Sequence, residues 1–280
     1  MAKVAKDINA QFVLALGDNF YTTGIQGDEH NFRFRATFED VYTDDSLQIP
    51  FYVVAGNHDH LGNITAQIEY SKISSRWTMP DTHYKRTFSF NSGKGGNTTL
   101  DLIMIDTVLL AGNSDLLPDK FGELPGPADP ELAETQWQFI EQSIKESTAD
   151  YLWVGGHYPV WSGCSHGPTA VLVLRLKPLL EQYNATGYVC GHDHCLEHID
   201  EGKGPVYVLT GAGDNCCYKN SNVHKCPDDS IKFSVWNDGS GNPMLGGFGS
   251  FHVTPEFMTV TYHAANGTAL YTTPQMKPRK

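Results

Sequence analysis

Four short polar clusters hold the side chains best suited to chemistry: Gly17-Asp18-Asn19-Phe20-Tyr21, Gly56-Asn57-His58-Asp59, Val154-Gly155-Gly156-His157 and Gly191-His192-Asp193-His194. Together they offer carboxylates, a phenol, an amide oxygen and imidazoles, with no thiolate. Oxygen and nitrogen donors of this kind suit hard or borderline ions such as iron, zinc or manganese. Each residue also has a plainer reading. Asp18 could cap a turn, Asn57 could be a turn residue, Tyr21 a core aromatic and His157 a satisfied strand-end histidine. The context favours ligands: Tyr21 lies three residues after Asp18, Asn57 directly precedes His58, and His192 and His194 alternate in a glycine-flanked turn.

The elements that must position these side chains are short. Residues 12–16, 51–55, 151–154 and 187–190 are apolar runs of strand length, one before each cluster. In open α/β sheets ligands bind at the carboxyl ends of strands, so these four ends are expected to face one place. Residues 102–105, ending at Asp106, and 206–210, ending in Gly211-Ala212-Gly213, read as further strands. Residues 64–77 read as a helix with Ile64, Ile68 and Trp77 inward. Residues 131–144 read as another, with Leu132, Phe139, Ile140 and Ile144 apolar. Pro168 opens a third that carries Val171, Leu172, Leu176, Leu179 and Leu180 and is kinked at Pro178. Strands alternating with helices imply βαβ units and a largely parallel sheet. Residues 248–253 and 258–262, joined by a turn at Pro255-Glu256, read instead as an antiparallel pair in the second sheet of a sandwich. The Pro-, Gly- and Asp-rich segment 113–130 reads as a loop.

Taken in order, the clusters resemble those of the calcineurin-like metallophosphoesterases, and Tyr21 separates the purple acid phosphatases from the rest of that superfamily. The resemblance is to the small, mammalian-type, tartrate-resistant class. It spans nearly the whole chain, including Phe38-Glu39-Asp40-Val41, Tyr70-Ser71-Lys72-Ile73-Ser74 and His157-Tyr158-Pro159-Val160-Trp161-Ser162. It implies a single domain over residues 1–280, folded as a four-layer α/β/β/α metallophosphoesterase sandwich. It also implies an acid phosphatase acting on phosphate monoesters at a dinuclear centre. By resemblance Asp18 bridges the two ions, Tyr21 and His194 hold Fe(III), and Asn57, His157 and His192 hold a second, divalent ion (iron, zinc or manganese). Hydroxide would attack phosphorus in line, without a phosphoenzyme. His58 and His166 are implied as the residues that hold the phosphate and protonate the leaving oxygen. Such a pair suits acidic operation, because cationic His binds phosphate and can give up its proton. Asp59 and Asp193 are read either as acceptors that orient neighbouring imidazoles or as solvated carboxylates. His30, His60, His83, His198, His224, His252 and His263 are read as structural or surface residues. In relatives the segment matching 113–130 is an exposed loop that restrains activity until cut.

The family carries a fifth block, an Asp-x-Gly ending a strand upstream of the Gly-Asp-x-x-Tyr strand. Here residues 1–11 resemble the end of the helix that joins those strands, and Asp7 has no strand or glycine around it. The sandwich is therefore expected to lack its first strand and one iron ligand, through truncation or an internal methionine taken as the start. A natural short form with a crippled site is the alternative. Two other functions stay open: a phosphodiesterase or nucleotide pyrophosphatase on the same site, and a secreted, non-catalytic remnant. No Gly-x-Ser-x-Gly or Gly-x-x-x-x-Gly-Lys-Ser/Thr supports a serine or P-loop mechanism.

Composition narrows the partners. The chain has 280 residues, 40% hydrophobic and 19% charged, as an ordinary globular protein does. A net charge of −12 with no basic stripe argues against nucleic acid and anionic membrane. The partners that the resemblance implies are small phosphomonoesters or phosphoproteins, and a monomer is expected. No apolar run has the length of a membrane span, and residues 1–10 lack the apolar segment of a signal peptide. Cys164, Cys190, Cys195, Cys216, Cys217 and Cys226 are compatible with three disulfides. The last three crowd a stretch where a loop staple fits, and Cys190 fits a buried strand. The family's disulfide would fall near Ala111 and Val171 and is missing at both. Sequons at Asn63, Asn97, Asn184 and Asn266, taken with the resemblance, favour a secreted or lysosomal glycoprotein.

Overall fold

A computed structural model describes residues 1–91, 97–116, 124–214, 216–237 and 245–279. Its strands are β1 Val13–Leu16, β2 Phe51–Val54, β3 Trp77–Thr78, β4 Tyr84–Asn91, β5 Asn97–Met104, β6 Tyr151–Gly155, β7 Gly187–Cys190, β8 Leu196–Ile199, β9 Val206–Thr210, β10 Ile231–Val235, β11 Gly247–Val253, β12 Met258–Ala264 and β13 Ala269–Thr272. The α-helices are α1 Ala2–Asp7, α2 Phe32–Phe34, α3 Ile64–Tyr70, α4 Thr107–Ala111, α5 Pro130–Lys145 and α6 Lys177–Gln182. A seven-stranded sheet runs β10-β8-β9-β7-β6-β5-β4, with β5, β6, β7 and β9 parallel. A parallel sheet β1-β2-β3 and an antiparallel sheet β11-β12-β13 complete the β-structure.

Side chains alternate across a strand, and here the alternation sorts the core into three layers. On β6, Leu152 and Val154 join a core with Trp137, Ile140 and Ile144 of α5 and Leu172, Leu176 and Leu180 of the 170–182 helical segment. Tyr151 and Trp153 point the other way, into a second core shared with Leu14, Leu16, Val54, Met258, Val260 and Tyr262. Val13, Ala15, Phe51 and Val53, on the remaining face of β1 and β2, pack with Phe34 of α2, Ala66 and Tyr70 of α3, and Trp77. The stack is therefore helix, sheet, sheet, helix, the α/β/β/α sandwich expected. Each large side chain so buried contributes about 2–3 kcal/mol.

The sequence expectations need three corrections. The helix expected over 64–77 ends at Tyr70; Ser71 and Ser74 hold a turn, with the Ser71 hydroxyl bonded at both ends to Met79, and Trp77 starts β3 opposite Phe51. α5 is capped by Asp129, whose carboxylate accepts from the Glu131 and Leu132 amides. Leu132 itself is exposed, because Ala133, Trp137, Ile140 and Ile144 occupy the inward stripe. The third helix begins after Thr169 rather than at Pro168, and a wide turn at 172–176, closed by Lys177 N–H on the Leu172 carbonyl, precedes Pro178. Proline lacks the amide that a regular turn would use there. Among the described residues one disulfide forms, Cys216–Cys217; Cys164, Cys190, Cys195 and Cys226 are buried thiols. Within 113–130, Ser114–Leu116 is a single 3-10 turn and residues 117–123 lie outside the described residues. Among the described residues no helix is long and apolar enough to cross a membrane.

Two positional facts bear on the site. The carboxyl ends of β1, β2, β6 and β7 meet, which brings the four polar clusters together. Among the described residues β1 pairs with β2 alone, and a cavity of about 350 Å³ runs from Met1 past Val13–Leu16 to Asp18, His157, His192 and His194.

Candidate metal centre

Glycine lets the loops after β1 and β2 close. A Cβ on Gly17 would lie 2.4 Å from His157 Nδ1, and one on Gly56 would lie 2.3 Å from Asp18 Oδ1. Asp18 then stands at the centre. Its Oδ1 accepts the His58 amide at 3.0 Å. Its Oδ2 lies 3.2 Å from the Tyr21 hydroxyl and 3.2 Å from His157 Nε2. His157 Nδ1 donates to the Leu16 carbonyl at 2.8 Å, which turns Nε2 inward, 2.8 Å from Asn57 Oδ1. The Asn57 amide nitrogen donates to Asp115 at 2.9 Å, so its oxygen is the atom that faces His157. The Tyr21 hydroxyl lies 3.1 Å from His194 Nε2. One ligating atom each from Asp18, His157 and His192 lie within 4.8 Å of one another.

This geometry calls for positive charge. The Leu16 carbonyl occupies the Nδ1 proton of His157, so the Nε2 lone pair, Asn57 Oδ1 and Asp18 Oδ2 converge as three acceptors. Burial alone would pull His157 down, but Asp18 and the Leu16 carbonyl outweigh it and raise it. Burial alone would raise Asp18, but His157 and then His58 hold it down at about 2. A proton can serve only one pair of these atoms, whereas a multivalent cation serves all of them. Burial, with His157, His166, His194 and His58 around it, drives His192 well below the ordinary range, so it presents a neutral lone pair. Burial and the Asp18 carboxylate push the Tyr21 phenol up. Only a strongly polarising cation would draw off its proton. The donor set fits metal ions of the hard or borderline class. A metal-binding His that gives its other N–H to a backbone carbonyl is the usual arrangement.

Asp59 and Asp193 are neither solvated nor bonded to imidazoles. Asp59 is fully buried and accepts from Gly56 N (2.9 Å), Asn19 N (3.0 Å), Asn19 Nδ2 (3.2 Å), Phe20 N (3.2 Å) and Gln67 Nε2 (2.9 Å). It stitches the Asp18 loop to the Asn57 loop. Asp193 accepts from Ser162 Oγ (2.6 Å), His166 N (2.9 Å) and Gly167 N (3.1 Å), stitching the His166 loop to the His192 loop. His58 is half-buried, its Nδ1 donating to the Thr22 carbonyl at 2.7 Å. His166 is exposed, its ring 4.2 Å from that of His192. The seven candidate residues of the motifs, and His166 from the loop outside them, thus lie around one centre.

Three neighbours escaped the motif reading. Asp115 orients Asn57 and lies 3.4 Å from His58 Nδ1. Asn113 is buried and donates to the Asn57 carbonyl at 2.8 Å. Tyr218 stacks on His194 at 4.4 Å. Asp115 and Asn113 stood in a segment that composition marks only as loop, and Tyr218 follows two cysteines with no local signal.

Comparison with known proteins agrees with this chemistry. A family model for the calcineurin-like phosphoesterases matches residues 1–196. The chain is 44% identical to tartrate-resistant acid phosphatase type 5 of Homo sapiens over 275 residues, 98% of this chain and 81% of that one. It is 29% identical to purple acid phosphatase 3 of Arabidopsis thaliana, covering 97% of this chain and 70% of the other. Among solved structures, GAP50, the anchor in the inner membrane complex of Plasmodium, aligns with a TM-score of 0.80 at 21% identity, over 100% of this chain and 82% of that one. At that identity the likeness speaks for the fold alone. The chain belongs to the calcineurin-like phosphoesterases and, within them, to the purple acid phosphatases of the tartrate-resistant type.

Proposed function

We propose that the chain hydrolyses phosphate monoesters in acid at a dinuclear centre of Fe(III) and a divalent ion (iron, zinc or manganese). The observation that carries the reading is the convergence of Asp18 Oδ2, His157 Nε2 and Asn57 Oδ1, with Tyr21 3.2 Å from that carboxylate. Asp18, Tyr21 and His194 would hold the ferric ion, and Asp18 with Asn57, His157 and His192 would hold the divalent one. Two ions bound there supply an activated water and neutralise charge on the phosphoryl group. The protein's own work is positional. Asp18 and the loops stitched by Asp59 and Asp193 keep the donors at fixed separation. His58 and His166 flank the site from opposite loops, where they bind phosphate oxygens and return a proton to the leaving alcohol. Substrates are small phosphomonoesters or phosphoproteins, met as a monomer in a secreted or lysosomal setting. The exposed sequon residues Asn63, Asn97, Asn184 and Asn266 agree with that setting.

The test is hydrolysis of 4-nitrophenyl phosphate at acidic pH by the wild type and by Asp18→Ala, with metal content measured on both. We expect turnover and bound metal in the wild type and the loss of both in the variant. Preferential cleavage of bis(4-nitrophenyl) phosphate would shift the assignment to a phosphodiesterase. A wild type inert on both esters would overturn it in favour of a non-catalytic protein.

A further inference from the structure

We propose that Cys164 and Cys195 form a disulfide that ties the loop carrying His166 to the loop carrying His192 and His194. Both side chains are fully buried, and their sulfurs lie within 4.8 Å of each other and of a Glu197 oxygen. Cys164 stands two residues before His166, and Cys195 directly follows His194. The backbone on both sides is already fixed. Cys164 N–H donates to Ser162 Oγ at 3.0 Å, Asn222 donates to the Cys164 carbonyl at 2.7 Å, and Cys195 N–H donates to the Asp193 carbonyl at 2.7 Å. An S–S bond needs the sulfurs at about 2.05 Å, and one χ1 rotation carries a Cys sulfur about 3 Å, enough to span the gap between them.

Three of the other four cysteines are engaged elsewhere. Cys216 and Cys217 are bonded to each other, and the Cys190 sulfur sits on the Val208 carbonyl at 3.8 Å. A metal ion at this cluster is the rival chemistry, but the Glu197 oxygens are taken by Trp236 Nε1 (2.5 Å) and Gly163 N (3.1 Å). Two sulfurs alone fall short of the four ligands of a structural zinc site. The bond forms during folding in an oxidising compartment. One thiol, as its anion, attacks oxidised glutathione and releases glutathione; the second attacks the mixed disulfide and releases another. Two thiols and one glutathione disulfide thus become one protein disulfide and two glutathiones, with no net change in protons. The pairing does not depend on the phosphatase reading.

The experiment uses the full chain secreted from cultured cells. It is unfolded in guanidinium with iodoacetamide, digested without reduction and mapped by mass spectrometry, with zinc measured on the undenatured sample. We expect a peptide pair cross-linked through Cys164 and Cys195, lost on reduction. Carbamidomethyl groups on both residues, with or without zinc, would overturn the proposal, as would a cross-link from either residue to Cys226 or Cys190. In Cys164→Ser we expect Cys195 to be fully alkylated and the melting temperature to fall by several degrees. An unchanged melting temperature would remove the structural role claimed for the bond. The wild-type map decides the pairing even if the variant fails to fold.

Discussion

Asp18 and His192 hold left-handed backbone, with φ of 53° and 67°. Non-glycine residues in that region cost about 1–3 kcal/mol each and persist where surrounding structure over-determines them, as it often does in functional sites. The strain here is local and repeated: two strands end in the same kind of turn, and each turn throws one donor towards the centre. Tyr21 is the donor whose role is easiest to isolate. Phenol and phenylalanine have nearly the same shape, so Tyr21→Phe should leave the fold intact. If Tyr21 binds Fe(III), the variant loses the visible charge-transfer band of the iron-loaded wild type. An unchanged absorption spectrum would remove Tyr21 from the ligand set.

At the scale of elements, the site depends on loops that carboxylates hold in register. Asp59 receives five donors, four of them from the two loops that carry Asp18 and Asn57. Burial pushes its carboxyl up and the donors counter it; a carboxyl proton would find no acceptor among them. Asp59→Ala leaves those donors buried without partners. We expect a loss of about 3–5 kcal/mol in denaturant unfolding and weaker metal retention; a cost under about 1 kcal/mol would show the loops holding themselves. Much of this was legible in the residues. The four strands that carry the donors are four- or five-residue apolar runs stopped by glycine-bearing turns, and all four lie where expected. β8 was not legible, because Glu197 and His198 interrupt it with polar side chains that are in fact buried. β3 was hidden because Trp77 has an inward position whether 64–77 is read as one helix or as helix, turn and strand. The partners of Asp59 and Asp193 are mostly backbone amides, and which amides come near depends on how the loops fold, which no local pattern encodes.

At the scale of the whole molecule, pH acts through the core as well as through the site. Burial, helped by Asp193, raises Glu197 from 4.5 to about 7, against the hydrogen bonds it receives from Trp236 and Gly163. The folded chain therefore keeps a proton that the unfolded chain releases above 4.5. That contribution is fully present below the unfolded value and is lost as pH rises through about 7, a fall of about 3 kcal/mol in unfolding free energy. Glu197→Gln should flatten this part of the stability profile between pH 4.5 and 7. Parallel profiles for the two proteins would mean that Glu197 ionises normally. A molecule built this way is steadier in acid than a surface-charge argument alone would suggest. The pairing of β1 with β2 alone among the described residues has a different consequence. The strand that delivers Asp18 and Tyr21 presents a row of main-chain donors and acceptors to a cavity instead of to a neighbour. Such a row is a template for any extended segment that reaches it, another copy of the chain included.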